Sequence, residues 1–352
     1  MTTLNDYYEK YYEIRKNSWR ATTRTDNKYI YDRFCKDAIG SREITEIRYS
    51  DMRAFYTRLI DTGTLQISSL ENVHGVLHPV FQMAVMDDVI SRNPTDGLIR
   101  EIKRAYHWKR PKRHALTEPQ QNAFIDYVSN SGTTHIKRLL PLFVTFLGTG
   151  GRISEITGLT WEDVHFDENY IEINHTLAYR KLDDGQFEFH IIEPKTSAGN
   201  RKIPMLTVVR EMLELERDRQ QLSDEYDSDF TVDAHSGFVF RNRNGRPHIP
   251  QVVNRSLKRI IAQYNAEEQQ KASIEGREPL LLPDFSVHSL RHTFATRLCE
   301  NETNLKVIQE IMGHSDITIT MNIYNEAVYE KKEESMAKLE GIIRIGKTAG
   351  EE

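Results

Sequence analysis

Six polar residues stand where packing alone gives little reason for them. Arg152 follows Gly148, Thr149, Gly150 and Gly151 and opens a short helix expected over 152–159. A glycine turn ahead of a helix lets an anion approach backbone N–H groups at the positive helix end, and a guanidinium adds a fork of donors. Glu155, three residues on, shares that helix face and could hold the guanidinium in place. From these two residues alone, an exposed ion pair of small energetic weight is the better reading. His288 and Arg291, at i and i+3, share a face distinct from the apolar stripe of Leu290, Phe294 and Leu298. His288 and His292 have the spacing of a zinc pair, but Ser289 stands where the metalloprotease pattern needs a glutamate. His314 follows Gly313, a natural helix-ending glycine, and Tyr324 lies ten residues further on. A lone tyrosine is ordinarily packing, and this chain has 16.

The elements that must carry these residues are mainly helical. Leu4, Tyr8, Tyr11 and Ile14 recur at helical spacing, as do Met52, Phe55 and Leu59 behind Ser50 as N-cap. A longer stripe, Leu70, Val73, Leu77, Phe81, Ala84 and Val85, is expected to run to near Asn93, which Pro94 keeps out of helical geometry. Residues 1–104 therefore read as a helical domain and 105–116 as a basic linker without apolar periodicity. A second domain over 117–330 opens on the capping-box pair Thr117 and Gln120. It contains the apolar run Leu139–Leu147. Three strand-like runs, IEINHTLAY, FEFHIIEPK and NRKIPM, predict a three-stranded antiparallel sheet. Helices are expected after Pro204, ending in a tail over 331–352. The fold class is mainly α with a small antiparallel β-sheet.

Composition narrows the partners. Of the 352 residues 38% are hydrophobic and 28% charged, a globular balance. No apolar run is long enough to span a membrane, and the N-terminus lacks a signal sequence, so a cytoplasmic protein is expected. Cys35 and Cys299 have no metal-type spacing and suggest no disulfide framework. The net charge of −5 excludes a nonspecific polycation, yet charge is uneven. Residues 100–115 hold seven Lys/Arg and one acid, and residues 241–262 hold six Lys/Arg and none. Either run alone could be a solvated face; together they favour a polyanion partner.

Taken in order, TGGRISEITGLTW, Lys195, HSLRHTFAT and IMGHSDITITMNIY resemble the catalytic domain of tyrosine recombinases, the phage-integrase family. The resemblance covers residues 117 to 330, and the stretch LHPVFQMAVMDDVISRNPT is similar to that family's core-site-binding domain. Within the family the chain looks closest to integrases of bacterial phages and conjugative transposons. The resemblance implies a helical core-binding domain plus an α+β catalytic domain, and a site-specific recombinase that integrates or excises a mobile element. It implies that Arg152 and Arg291 clamp the scissile phosphate and that Tyr324 is the nucleophile. His288 would accept the phenol proton, Lys195 protonate the leaving 5′-oxygen, and His314 bond the phosphate. Glu155 would be support.

The implied route is a 3′-phosphotyrosine and a Holliday junction, without ATP, metal or cofactor. The implied partners are double-stranded DNA carrying recombination sites and three further copies in a homotetramer. A host bending factor or excisionase is an accessory of the same kind, and the setting is a bacterial cytoplasm, near the nucleoid. Lys103, Arg104, Lys109, Arg110, Lys112, Arg113, Arg241 and Arg243, from the two basic runs, are the candidate DNA contacts. The tail is expected to dock on a neighbouring subunit.

Two departures from the family pattern carry expectations. Gly151 stands where a larger residue is common, so a looser start of the short helix is expected. The core-binding helices begin near Leu4, which leaves no room ahead for an arm-binding domain: either arm binding is missing or the chain is a trimmed piece. Two rival functions share some features, a type IB topoisomerase and a DNA-binding regulator without catalysis. HSLRH and MGHS favour the recombinase over the first, and the full residue set over the second.

Overall fold

The structure, a computed structural model, describes residues 2–109, 114–182, 185–194, 199–222, 230–325, 327 and 336. The described chain is mainly helical with two small sheets. It divides into two compact units, residues 1–112 with 180–188, and residues 113–179 with 189–352.

The first unit is built on α1 (Leu4–Arg15), α2 (Ala21–Ile30), α3 (Tyr49–Asp61), α4 (Ile67–Met86) and α5 (Leu98–Ala105). Helix α1 starts on a reciprocal cap: Thr3 Oγ1 accepts from the Asp6 amide (3.2 Å) and Asp6 Oδ2 from the Thr3 amide (2.8 Å). Leu4, Tyr7 and Tyr8 of α1 are buried against Leu70, Val73, Leu77 and Phe81 of α4 in one core, whereas Ile14 is 61% exposed and belongs to no core. The cap of α3 is Arg48, not Ser50. The Asp51 carboxylate takes the Arg48 amide at 2.8 Å, a charged acceptor that a hydroxyl does not match.

Helix α4 stops at Met86, well before Pro94. Asp88 turns left-handed (φ 56°) and the Val89 amide returns to the Ala84 carbonyl at 2.9 Å, so a local C-terminal turn ends the helix. Asn93 instead builds a buried turn, accepting from the Thr95 amide (3.0 Å) and hydroxyl (2.7 Å) ahead of α5. Helix α5 is invisible in the apolar pattern because only Leu98 and Ile102 turn inward among charged neighbours.

The second unit begins with α6 (Glu118–Asn130), capped by the expected Thr117–Gln120 pair, then α7 (Thr134–Lys137), α8 (Leu140–Thr149) and the four-residue α9 (Ile153–Ile156). The strands are β1 (Val164–His165), β2 (Tyr170–Ile173), β3 (Thr176–Lys181), β4 (Phe187–Ile192) and β5 (Arg201–Pro204). The expected single sheet is in fact two. An antiparallel sheet has the order β1-β2-β5, with Ile171 opposite Ile203, and β3 pairs with β4 separately. The run IEINHTLAY breaks because Asn174 Nδ2 donates to Asp163 Oδ1 (2.8 Å) and His175 Nε2 to the Gly158 carbonyl (2.7 Å). Those bonds pin two residues out of the ladder.

Helices α10 (Thr207–Leu222), α11 (Pro250–Glu275), α12 (Val287–Asn301) and α13 (Leu305–Met312) follow, with residues 230–249 non-helical and residues 317–325 helical. Phe124, Phe143, Phe146, Ile171, Ile203, Leu213, Leu257 and Leu290 share the main core of this unit. A smaller core of Ala295, Cys299, Ile308 and Met312 joins α12 to α13. Among the described residues no helix is long and apolar enough to cross a membrane.

Candidate active site

Helix ends place the site. Helix α8 stops at Gly150, whose φ of 60° is the left-handed turn that lets the chain reverse into α9. Arg152 is the N-cap of α9, with its amide bonded to Glu155 Oε2 at 2.8 Å. The expected helix over 152–159 is thus a single turn. The space at Gly151 is filled by Ile156, whose Cδ1 would lie 2.4 Å from a Cβ there. The turn is close-packed, and the expected loosening does not occur.

Helix α13 ends on Gly313 (φ 62°), leaving the carbonyls of its last turn without helical partners. Three arginines take three successive ones. Arg201 Nε donates to the Ile311 oxygen (2.8 Å), Arg291 Nη2 to the Met312 oxygen (2.6 Å) and Arg152 Nη2 to the Gly313 oxygen (2.9 Å). The negative end of the helix dipole favours cations at this place. Arg291 also donates through Nη1 to the Gly150 oxygen at 2.6 Å, so one guanidinium ties both glycine-terminated helices together.

Glu155 lies under this cluster, buried at 3% exposure. It accepts from Arg152 Nη1 (2.6 Å) and from Arg201 Nη2 (2.8 Å) and Nη1 (3.2 Å). Burial alone would push its carboxyl up. The Arg201 bonds and the charges of Arg201 and Arg152 outweigh burial and hold it at about 2. Arg291 is 4% exposed; burial, then repulsion from Arg152, pulls its guanidinium down to about 9, still charged at neutral pH. His314 follows Gly313 and is 6% exposed, with Nδ1 3.0 Å from the Thr320 hydroxyl. Burial, then the charges of Arg291, Arg152 and Arg201, pull it down to about 4, so it is neutral at neutral pH.

Arg152, Glu155, Arg291 and His314 therefore converge, as the family resemblance implies. His288 sits exposed one turn before Arg291 on α12 and lies within electrostatic reach of His314. Tyr324, in the helical residues 317–325, is partly buried with Phe294 and Ile323 against the α12–α13 core. Among the described residues no hydrogen bond joins its hydroxyl to the arginines. Lys195 lies outside the described residues, between β4 and β5 in sequence.

The basic candidates divide. Arg104, Lys109 and Arg243 are exposed, and Arg110, Lys112 and Arg113 lie outside the described residues. Lys103 is paired with Glu71 and stands 4.5 Å over the Trp108 ring. Arg241 is a correction: it is 6% exposed and donates to Gln220, so its guanidinium is spent inside the fold and not presented to DNA. Arg201 is the residue that sequence reading missed. The signal lay in the alternation of NRKIPM, which turns Arg201 inward beside Ile203. An inward arginine on such a strand needs buried acceptors, and a carboxylate is the strongest of them.

The site thus offers two guanidiniums, with a neutral imidazole beside them, on a helix end that already attracts cations. Residues 114–331 match the Phage integrase family, and residues 4–101 match the Phage integrase central domain. The transposase from transposon Tn916 of Enterococcus faecalis is 30% identical over 327 residues, spanning 93% of this chain and 74% of that protein. A XerC-like tyrosine recombinase of Caldanaerobacter subterraneus is 25% identical over 350 residues, spanning 96% and 82%. The fold superposes on the Tn1549 transposon integrase in complex with transposon right end DNA, with a TM-score of 0.79 and 29% identity over 97% of this chain and 100% of that one. The chain belongs to the phage integrase family of tyrosine recombinases.

Proposed function

We propose that this site-specific recombinase cleaves DNA with Tyr324 and holds the scissile phosphate between Arg152 and Arg291, joining strands to integrate or excise a mobile element. The observation that carries this reading is the meeting of three arginines on the last carbonyls of α13, one residue before His314. The Arg152 and Arg291 guanidiniums are already oriented by carbonyls, so their remaining donors wait for an anion without reorganising. Arg291 is desolvated, and a phosphate oxygen would strengthen its charged form. A Thr320 hydroxyl that donates to Nδ1 would leave the proton of neutral His314 on Nε2, a further donor for a phosphate oxygen.

In the cleavage step the Tyr324 oxygen bonds to phosphorus while the bond from phosphorus to the 5′-oxygen breaks. His288 takes the phenol proton and Lys195 supplies one to the departing 5′-oxygen. The product is a 3′-phosphotyrosine and a free 5′-hydroxyl. One ester replaces another, so a hydroxyl from a second strand reverses the step and joins new partners through a Holliday junction. Arg104, Lys109 and Arg243 are exposed cations suited to duplex phosphates. A homotetramer on two DNA sites, assisted by a bending factor or excisionase, completes the reading. Ending the chain after Glu330 should spare single-site binding and impair the synaptic complex.

The test is a nicked suicide duplex bearing a site that the protein selects from random-sequence duplexes. A covalent adduct followed by joining of two sites is the expected result. An adduct without joining would favour a topoisomerase, and binding without an adduct a regulator.

A further inference from the structure

The element of this site that the recombinase reading leaves without a role is the third arginine. Arg201 is 8% exposed, on β5, and its guanidinium is engaged on three sides. Nη1 and Nη2 clamp the two oxygens of Glu155, Nε bonds the Ile311 oxygen at 2.8 Å, and Nη1 also faces the Gly199 oxygen at 3.4 Å. It thereby links β5, the α9 turn that carries Arg152, and the α13 end that precedes His314. Buried ion pairs add little net stability, so a bidentate buried pair at this junction calls for a reason other than stability.

We propose that Arg201 is a positioning residue for strand cleavage: by clamping Glu155 to the end of α13 it fixes where the Arg152 guanidinium stands. This rests on the reading of Arg152 as a phosphate clamp. Glu155 bonds both the amide and the side chain of Arg152 (2.8 and 2.6 Å), so a displaced or neutral Glu155 releases that side chain. Among the described residues the charged groups facing Glu155 are Arg152 from its own turn, Arg201 from β5 and Arg291 from α12. Helix α13 contributes only carbonyls there. Lysine cannot reproduce the fork, because one ammonium cannot span both carboxylate oxygens and the Ile311 carbonyl.

Removing Arg201 leaves a buried carboxylate with weaker compensation. Its proton affinity then rises, by about 1–3 pH units for a lost neighbouring opposite charge. The variant's cleavage relative to wild type should fall as acid protonates Glu155. The test measures adduct formation on the selected nicked duplex with the full chain, from about pH 4 to about pH 8, a window that reaches the raised carboxyl. Arg201→Met should cleave roughly 10- to 100-fold more slowly at neutral pH, the cost of a misplaced group. Its ratio to wild type should fall further towards acid, and taking the ratio cancels any pH dependence that the two proteins share. Arg201→Lys keeps the charge and loses the fork, so it should show a smaller deficit with less acid dependence; if the methionine variant does not fold, it carries the test through the comparison of the two Glu155 backgrounds.

In a Glu155→Gln background, Arg201→Met should add little and no acid dependence. Equal losses at every pH and in both backgrounds would overturn the proposal and leave Arg201 a structural residue. Tyr324→Phe runs alongside: an adduct formed by that variant sinks the assignment of the nucleophile, independently of what Arg201 does.

Discussion

Replacing Gly150 by alanine tests whether the end of α8 is built around the site. At φ 60° an L side chain lies in the left-handed region, at a cost of about 1–2 kcal/mol. The new Cβ would stand 2.3 Å from Phe294 Cδ1, 3.0 Å from Cε1 and 3.1 Å from Cγ. A ring edge cannot yield as a flexible chain end does, so the aromatic ring must shift, for about 1–3 kcal/mol more. Together about 2–5 kcal/mol is lost from a typical stability of about 5–15 kcal/mol, so the unit should still fold. Two consequences for function follow. The Gly150 oxygen is an acceptor of Arg291, and Phe294 packs in the same small core as Tyr324. Cleavage should therefore fall more than DNA affinity. Urea unfolding of the second unit, duplex binding and suicide cleavage, run on one preparation, read the three effects. An alanine variant with an unchanged midpoint and an unchanged cleavage rate would refute the reasoning.

Gly75 supplies the opposite case: it is exposed inside α4, with no atom within 4 Å of an added Cβ. Gly75→Ala should raise the first unit's stability by about 0.5–1 kcal/mol, and a lower urea midpoint would contradict this. His314 is held at about 4, below its unfolded value near 6.5. The unfolded chain thus binds more protons between these values, and stability is lost as pH falls through that window. His314→Asn should lose less stability than wild type between about pH 7 and about pH 5; an identical loss would remove His314 as the cause. Neutralising Lys109, Arg110, Lys112 and Arg113 together should flatten the salt dependence of DNA binding, by about one unit of log–log slope for each phosphate that no longer meets a cation. An unchanged slope makes that run a solvated linker.

Legibility from sequence followed how each feature is encoded. Arg152, His288, Arg291 and His314 were readable because glycines and helix starts mark them at short range. The Thr117 cap of α6 and the stripe of α4 are likewise local patterns, and both appear in the structure. Strand pairing was not readable. The choice between one sheet and two rests on Asn174 and His175 finding Asp163 and Gly158, which belong to separate segments. Arg241 and Arg201 show the same limit in opposite directions. A basic run suggests exposure, but Gln220 draws Arg241 inside; a short alternating strand gives no name to the carboxylate that Arg201 meets 46 residues away in sequence. Ser50 failed as a cap because a carboxylate one residue on competes for the same turn.

The central claim is that the α12–α13 region holds a tyrosine nucleophile for a phosphate gripped by arginines. It is tested most directly by mapping the covalent bond. The full chain is trapped on the nicked duplex, the adduct is digested by protease and nuclease, and the nucleotide-bearing peptide is sequenced by mass spectrometry. The account predicts a 3′-phosphate ester on Tyr324 and no adduct from Tyr324→Phe. A modified residue elsewhere, Tyr329 being the nearest tyrosine in sequence, or an adduct that survives in the phenylalanine variant, would contradict it.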